Sequence, residues 1–122
     1  MFKIPVYKPS IGDNERRNVI ECMDSTWISS KGIFVNKFEK SFSAYTGIAN
    51  CTSCSNGTTA LQLALLATGL GPGDEIICPT FTYIASAASI CHVGATPVFV
   101  DSDPDSWLMS VEALKAAITP NT

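Results

Sequence analysis

Two short apolar runs, Glu75 to Cys78 and Thr96 to Val100, flank an Ala- and Ser-rich stretch of helix length, Thr82 to Val93. A strand, a helix and a second strand in that order form a crossover unit, which places the two strands parallel in one sheet. The same alternation is read one step earlier, with a short strand over Asn50 to Cys54, a helix over about Thr58 to Thr68 and a Gly71-Pro72-Gly73-Asp74 turn. It is read one step later as well, where Ser110 caps a helix running to about residue 118, with Glu112 in its first turn and Pro120 beyond its end. The expected class is therefore α/β, a mainly parallel sheet with helices on both faces.

Before this region the rhythm is helical. Asp13 is an N-cap candidate for a first helix over 13–23, with Val19 and Met23 on one face. A second helix follows the Ser29-Ser30-Lys31-Gly32 loop, since Val35, Phe38, Phe42 and Tyr45 recur at helical intervals and Gly47 supplies a stop. The polar connection between them carries an isolated Trp27, which either anchors packing or faces a ligand. No linker, repeat or low-complexity tract interrupts the 122 residues, a length suited to one domain. Helix 110–118 should cross the sheet and deliver a further parallel strand, yet the sequence stops at Thr122, so the chain is expected to be the first part of a larger protein.

Function classes narrow on charge and hydropathy. A net charge of −3 gives no general attraction to nucleic acid or to an anionic membrane. No apolar run approaches the roughly 20 residues of a bilayer span, and the first nine residues lack a signal-peptide pattern, so a cytoplasmic protein is expected. Cys22, Cys51, Cys54, Cys78 and Cys91 are an odd number in apolar surroundings and read as reduced core residues. Cys51-x-x-Cys54 falls on the expected strand rather than at a helix N-terminus, which argues against a redox pair. One such pair, even with Cys78, Cys91 and His92 elsewhere, makes a poor zinc site, and no metal is expected. His92, the one histidine, ends an apolar helix and is read as a capping or packing residue.

The segment with most chemical content is Ser55-Asn56-Gly57-Thr58-Thr59-Ala60-Leu61. A polar turn that opens a helix offers unpaired N–H groups, the positive end of the helix dipole, a glycine for close approach and hydroxyls, all suited to a phosphate. It lacks the Walker A pattern, and the glycines at 69, 71 and 73 follow a helix rather than a strand, so a Rossmann fingerprint is absent too. On spacing alone, an N-cap without a ligand remains equally open. Pro79-Thr80-Phe81-Thr82-Tyr83 follows the next strand, at the end of a parallel sheet where ligands gather. Phe81 or Tyr83 either covers a flat ring there or packs in the core.

Six motifs in order carry a resemblance: Ile4-Pro5-Val6-Tyr7-x-Pro9-Ser10, Asp24 through Gly32, Ser55-Asn56-Gly57-Thr58-x-Ala60-Leu61, Gly73-Asp74-Glu75, Pro79-x-x-Thr82-Tyr83-Ile84-Ala85-Ser86, and Gly94-Ala95-Thr96-Pro97-x-Phe99-Val100-Asp101. Together they resemble the DegT/DnrJ/EryC1/StrS sugar-nucleotide aminotransferases, over essentially the whole chain. The resemblance implies pyridoxal 5'-phosphate as cofactor and the fold type I large domain, of which residues 1–122 would form the N-terminal segment and first part. It implies that Gly57 and Thr58, with Ser55 and Asn56, hold the cofactor phosphate and that Tyr83 stacks on its ring, leaving Phe81 to packing. Trp27, Ser29, Ser30 and Lys31 become sugar-nucleotide candidates. The implied reaction moves an amino group from glutamate to the C4 ketone of a nucleotide-linked 4-keto-6-deoxy sugar, GDP-linked in the first instance and UDP- or dTDP-linked as the alternative. The lysine and aspartate that the reaction needs come later in such sequences than the motif at Asp101, so no catalytic residue is expected within this chain and Lys31 is not the cofactor lysine. Relatives of this kind are homodimers that share active sites, and the isolated chain is expected to be inactive. A phosphate-binding remnant is the reading from another class.

Overall fold

The structure, a computed structural model, describes Ile4 and residues 7–122. Pro5 and Val6 of the first motif, and most of the stretch read for a signal peptide, lie outside the described residues. The chain divides into two compact units, Met1–Ser53 and Cys54–Thr122.

The first unit contains α1 (Asp13–Asp24) and α2 (Ile33–Thr46), close to their expected bounds. The Gly12 N–H donates to the Glu15 carboxylate at 2.7 Å, which closes the first turn of α1. Gly47 ends α2 at φ +75°, the left-handed cap that a glycine reaches without a Cβ penalty. The chain then folds back along α2: Ser43 Oγ donates to the carbonyls of Ile48 and Ala49, and the Glu39 carboxylate accepts the Ser53 N–H at 2.8 Å and the Ser53 hydroxyl at 2.9 Å.

These bonds correct one expectation. Residues 50–54 form no strand, and the Ser53 N–H is given to the Glu39 carboxylate of α2 instead of to a ladder. The backbone N–H of Ser53, and then its hydroxyl, hold Glu39 below the usual carboxylate range. A depressed folded-state pKa means that the contact stabilises the loop above the ordinary range and is lost as pH falls through the lowered value. The Ser53 amide resonance should therefore shift in NMR spectra on acidification through that value. In Glu39→Gln the same resonance should not titrate.

The second unit holds α3 (Gly57–Ala67), β1 (Glu75–Pro79), α4 (Ile84–His92), β2 (Thr96–Val100) and α5 (Val111–Ala116). β1 and β2 pair in parallel, with Glu75 opposite Thr96 and Pro79 opposite Val100, as the crossover reading requires. The Thr96 N–H donates to the Asp74 carbonyl at 2.9 Å on the shared side of the pair. On the other side of β1, the Glu75 N–H donates to the Asn121 carbonyl at 2.9 Å, so α5 returns the chain to that margin. A small core of Cys78, Ile90, Val93 and Ala95, with Leu65, Ile76 and Ala87 packed on it, joins α3 and α4 to the sheet.

Only Cys78 among the five cysteines is buried; Cys22 and Cys51 are half-buried, and Cys54 and Cys91 are exposed. The expectation of five core thiols is thus corrected: Cys91 is exposed on α4, and residues 51–54 lie on an irregular, partly exposed segment rather than a buried strand. Burial, and the neighbouring Cys91, raise the Cys78 thiol above its ordinary pKa. His92 is exposed in the last turn of α4, and among the described residues no three His, Cys, Asp or Glu side chains cluster as metal ligands. No helix among them is long and apolar enough to cross a membrane.

The turn from α4 to β2 depends on Gly94 at φ +82°. A Cβ there would lie 3.0 Å from Pro72 Cγ and 3.3 Å from its Cδ. Gly94→Ala combines the left-handed penalty with that clash and should cost about 2 kcal/mol, read as a lower urea midpoint.

Candidate functional site

α3 begins at Asn56, whose extended backbone and side chain make it an N-cap: its Oδ1 accepts the Thr59 N–H at 3.0 Å, and the Asn56 N–H reaches Thr59 Oγ1 at 3.3 Å. The first helical bond runs from the Ala60 N–H to the Asn56 carbonyl. With Thr59 and Ala60 satisfied, the Gly57 and Thr58 N–H groups have no acceptor among the described residues and stand at the positive end of the helix. A Cβ placed on Gly57 would meet nothing within 4 Å, so the approach to these donors is open. Ser55 adds a hydroxyl beside them, 3.3 Å from Thr59 Oγ1.

The second contribution comes from the turn after β1. The Thr80 N–H donates to the Val100 carbonyl at 2.9 Å, which pins the turn to the end of β2. Tyr83 is the N-cap of α4 by backbone conformation and leaves its side chain unbonded and 75% exposed. Thr82 Oγ1 and Ser86 Oγ share a hydrogen bond at 3.0 Å across that helix start. The expected helix over 82–93 is thus shortened by Tyr83, whose extended conformation turns its ring out of the helix.

Both helix starts open onto one hollow of ≈ 690 Å³, lined by Asn56, Gly57, Thr58 and Tyr83 together with Ala60, Leu61, Ala85 and Ser86. Four residues singled out in the sequence meet there, although 24 positions separate Thr58 from the following Thr82 and Tyr83 lies one further on. The helix pair is held beneath the hollow by Ser89, 1% exposed, whose hydroxyl donates to the Ala85 carbonyl and, at 3.3 Å, to the Thr58 carbonyl. Ser89 was not singled out in the sequence, and Ser86 stood there only as the last residue of a motif, with no role. The signal was present only as the small-residue composition of α4, which lets two helices approach closely. The hollow can take an anionic group at Gly57 and Thr58 and a flat ring against Tyr83.

Trp27, Ser29, Ser30 and Lys31 lie in the first unit, on the loop between α1 and α2, and all four are exposed. The loop is tight rather than extended. Thr26 adopts φ +61°, the Lys31 N–H donates to Ser29 Oγ at 3.3 Å, and a Cβ on buried Gly32 would press on the Trp27 and Ser29 carbonyls at 3.0 and 3.2 Å. The loop therefore presents an indole, two hydroxyls and an ammonium group on one short segment.

Residues 9–122 match the DegT/DnrJ/EryC1/StrS aminotransferase family. The chain is 54% identical over 120 residues to the GDP-perosamine synthase of Caulobacter vibrioides, covering 98% of this chain and 32% of that protein. It is likewise 54% identical over 122 residues to the GDP-perosamine synthase of Escherichia coli O157:H7, covering 100% of this chain and 34% of that protein. Among solved structures, a putative sugar aminotransferase from Streptococcus pneumoniae in its PMP form superimposes with a TM-score of 0.86 at 39% identity, over 99% of this chain and 30% of that one. The chain thus spans about a third of the length of the curated relatives it matches. On sequence and fold alike, it belongs to the DegT/DnrJ/EryC1/StrS aminotransferase family.

Proposed function

We propose that this chain is the N-terminal segment and first part of the cofactor-binding large domain of a pyridoxal-phosphate-dependent aminotransferase. The reaction is transfer of an amino group from glutamate to the C4 ketone of GDP-linked 4-keto-6-deoxymannose, which gives GDP-perosamine, a lipopolysaccharide O-antigen precursor. The observation that carries the reading is the meeting of Asn56, Gly57 and Thr58 with Tyr83 in one hollow. The 54% identity to two GDP-perosamine synthases supports this choice of sugar.

The residues present fit the cofactor. A phosphate ester needs several donors and no nearby carboxylate, and the open side of Gly57 offers two free N–H groups with the hydroxyls of Ser55 and Thr58 beside them. A pyridine ring needs a flat apolar partner, which exposed Tyr83 supplies. When bound, the cofactor supplies the electron sink that makes amino-group transfer possible. The chain's own residues hold it: the start of α3 fixes the phosphate end, Tyr83 fixes the tilt of the ring, and Ser89 keeps α3 and α4 at the spacing on which both depend.

In this reading Trp27, Ser29, Ser30 and Lys31 serve the sugar nucleotide, with the ammonium group of Lys31 suited to a diphosphate. The lysine and aspartate that act on the cofactor belong to the part of the enzyme outside this sequence, and the working enzyme is a homodimer. The apolar surface that Val19, Met23, Phe38 and Phe42 leave exposed in the first unit supports burial against further protein.

The test uses the protein at the full length its gene encodes, supplied with pyridoxal phosphate, glutamate and the keto sugar linked to GDP, UDP or dTDP. Formation of GDP-perosamine, seen by mass spectrometry, is the expected result, with no turnover by the 122-residue chain alone. Product from a UDP- or dTDP-linked sugar alone moves the substrate assignment. Phosphate binding without turnover on any of the three makes the protein a binding remnant.

A further inference from the structure

The segment from Asp101 to Ser110 contributes nothing to the hollow, yet it is built with unusual care. Its ends are joined by a Ser102–Met109 bridge and by the Ser110 N–H donating to the Asp101 carbonyl at 3.0 Å. Asp103 organises the interior. Its Oδ1 accepts the Ser106 N–H and the Ser106 hydroxyl, each at 2.8 Å, and the Asp105 N–H at 3.1 Å, and these bonds hold its carboxyl below the ordinary range. Its backbone donates to the Leu108 carbonyl at 2.8 Å and accepts the Trp107 N–H at 2.9 Å. Trp107 is thereby held at φ +61°, a conformation that a bulky side chain enters only when its surroundings impose it.

That conformation puts the indole against Phe81, with ring centroids 5.2 Å apart and planes at 59°. The tilt and spacing are those of a favourable aromatic pair. Both rings remain 64% exposed, so the pair adds little to the core. Phe81 lies two residues before Tyr83, in the turn whose far ends are fixed by the Thr80–Val100 hydrogen bond and by the start of α4. Between those fixed ends, the Phe81 ring has one aromatic partner among the described residues, and it is Trp107.

We propose that Trp107 is a positioning residue for the hollow: through Phe81 it braces the Thr80–Tyr83 turn and so sets the angle at which the Tyr83 ring meets a bound pyridine ring. This rests on the cofactor reading above and adds a residue to it. Asp103 is the footing of the brace, Trp107 the strut and Phe81 the part it bears on. No atom of the three needs to touch the cofactor.

The test compares Trp107→Leu, Trp107→Phe, Phe81→Leu and the double Leu variant with the unaltered protein at its full encoded length. Two readouts are followed, the affinity for pyridoxal phosphate and the visible circular dichroism of the bound cofactor, which depends on the ring's surroundings. Affinity for inorganic phosphate serves as the control for the start of α3. Losing the aromatic pair should weaken pyridoxal phosphate binding about fivefold and change the dichroism, with inorganic phosphate affinity unchanged. Trp107→Phe should restore most of both, and the double variant should lose no more than either single one, since both act along one path.

Unchanged dichroism and affinity in Trp107→Leu overturn the proposal, as does equal loss of inorganic phosphate binding, which marks general loosening. If Trp107→Leu does not fold, Phe81→Leu, at the other side of the same pair, decides by the same criteria. Failure of the unaltered protein to bind pyridoxal phosphate would instead sink the cofactor reading itself, so the two failures are distinct.

Discussion

Thr58→Glu should lower the affinity for pyridoxal phosphate about a hundredfold while leaving the protein as stable as before or slightly more so. The two effects have opposite signs for one reason. An acidic side chain in the first turn of a helix is favoured by the unpaired N–H groups there, by roughly 0.3–1 kcal/mol. Those same N–H groups, unpaired on Gly57 and Thr58, are the ones that the proposed function assigns to the phosphate. Two like charges about 5 Å apart repel by roughly 3 kcal/mol at an effective dielectric of about 20, which is near a hundredfold in binding. The hydrogen bond that ties Thr58 to α4 runs through its carbonyl, which accepts the Ser89 hydroxyl and is untouched by a change of side chain. Calorimetric titration with pyridoxal phosphate, alongside a urea midpoint, checks both signs. A loss of stability equal to the loss of affinity would show that the residue serves the fold and not the ligand.

Ile90→Ala should cost about 3 kcal/mol, within the range for truncating a fully buried branched side chain. Ile90 is 3% exposed and sits where Cys78, Val93 and Ala95 converge, and the Ala95 N–H closes onto its carbonyl at 3.2 Å. The core is small, so few neighbours can shift to fill the space. Hydrogen exchange at the β1 and β2 amides should accelerate by roughly a hundredfold, since these strands open with the core that covers them. Ile90→Val should cost only about 1 kcal/mol by the same argument. A cost under 1 kcal/mol for the alanine variant would mean that the unit is held mainly elsewhere.

The parts of the fold that could be read in the sequence are those where local preference and tertiary packing agree. α2 is amphipathic and ends on a glycine, and β1 and β2 are apolar runs bounded by turn residues, so each fell close to its expected place. Asn50 to Cys54 looked like a strand because its composition suits one. Its outcome was decided by Glu39, more than one helical turn earlier in the chain, whose carboxylate takes the Ser53 N–H and hydroxyl. The α3 start was legible as a helix N-terminus with free donors because the chemistry is local to five residues. The Tyr83 contribution was legible only as one of two aromatics, and resemblance to a family separated it from Phe81. The brace at Trp107 was not legible at all: a left-handed tryptophan has no sequence signature, and its partner lies 26 positions away.

The sheet is lopsided in what it can accept. Hydrogen-bonding direction alternates along a strand, and Thr96 faces β1, so Pro97 faces outward from β2 and gives that margin no N–H. A neighbour arriving there would find a gap in the ladder at its first outward position, which blunts the edge against stray pairing. The opposite margin of β1 meets its own proline, Pro79, only at the last residue of the strand, and it is already started at Glu75 by the bond to Asn121. Two imino acids at different heights, at the second residue of β2 and the last of β1, thus leave β1 the more open of the two to a further strand.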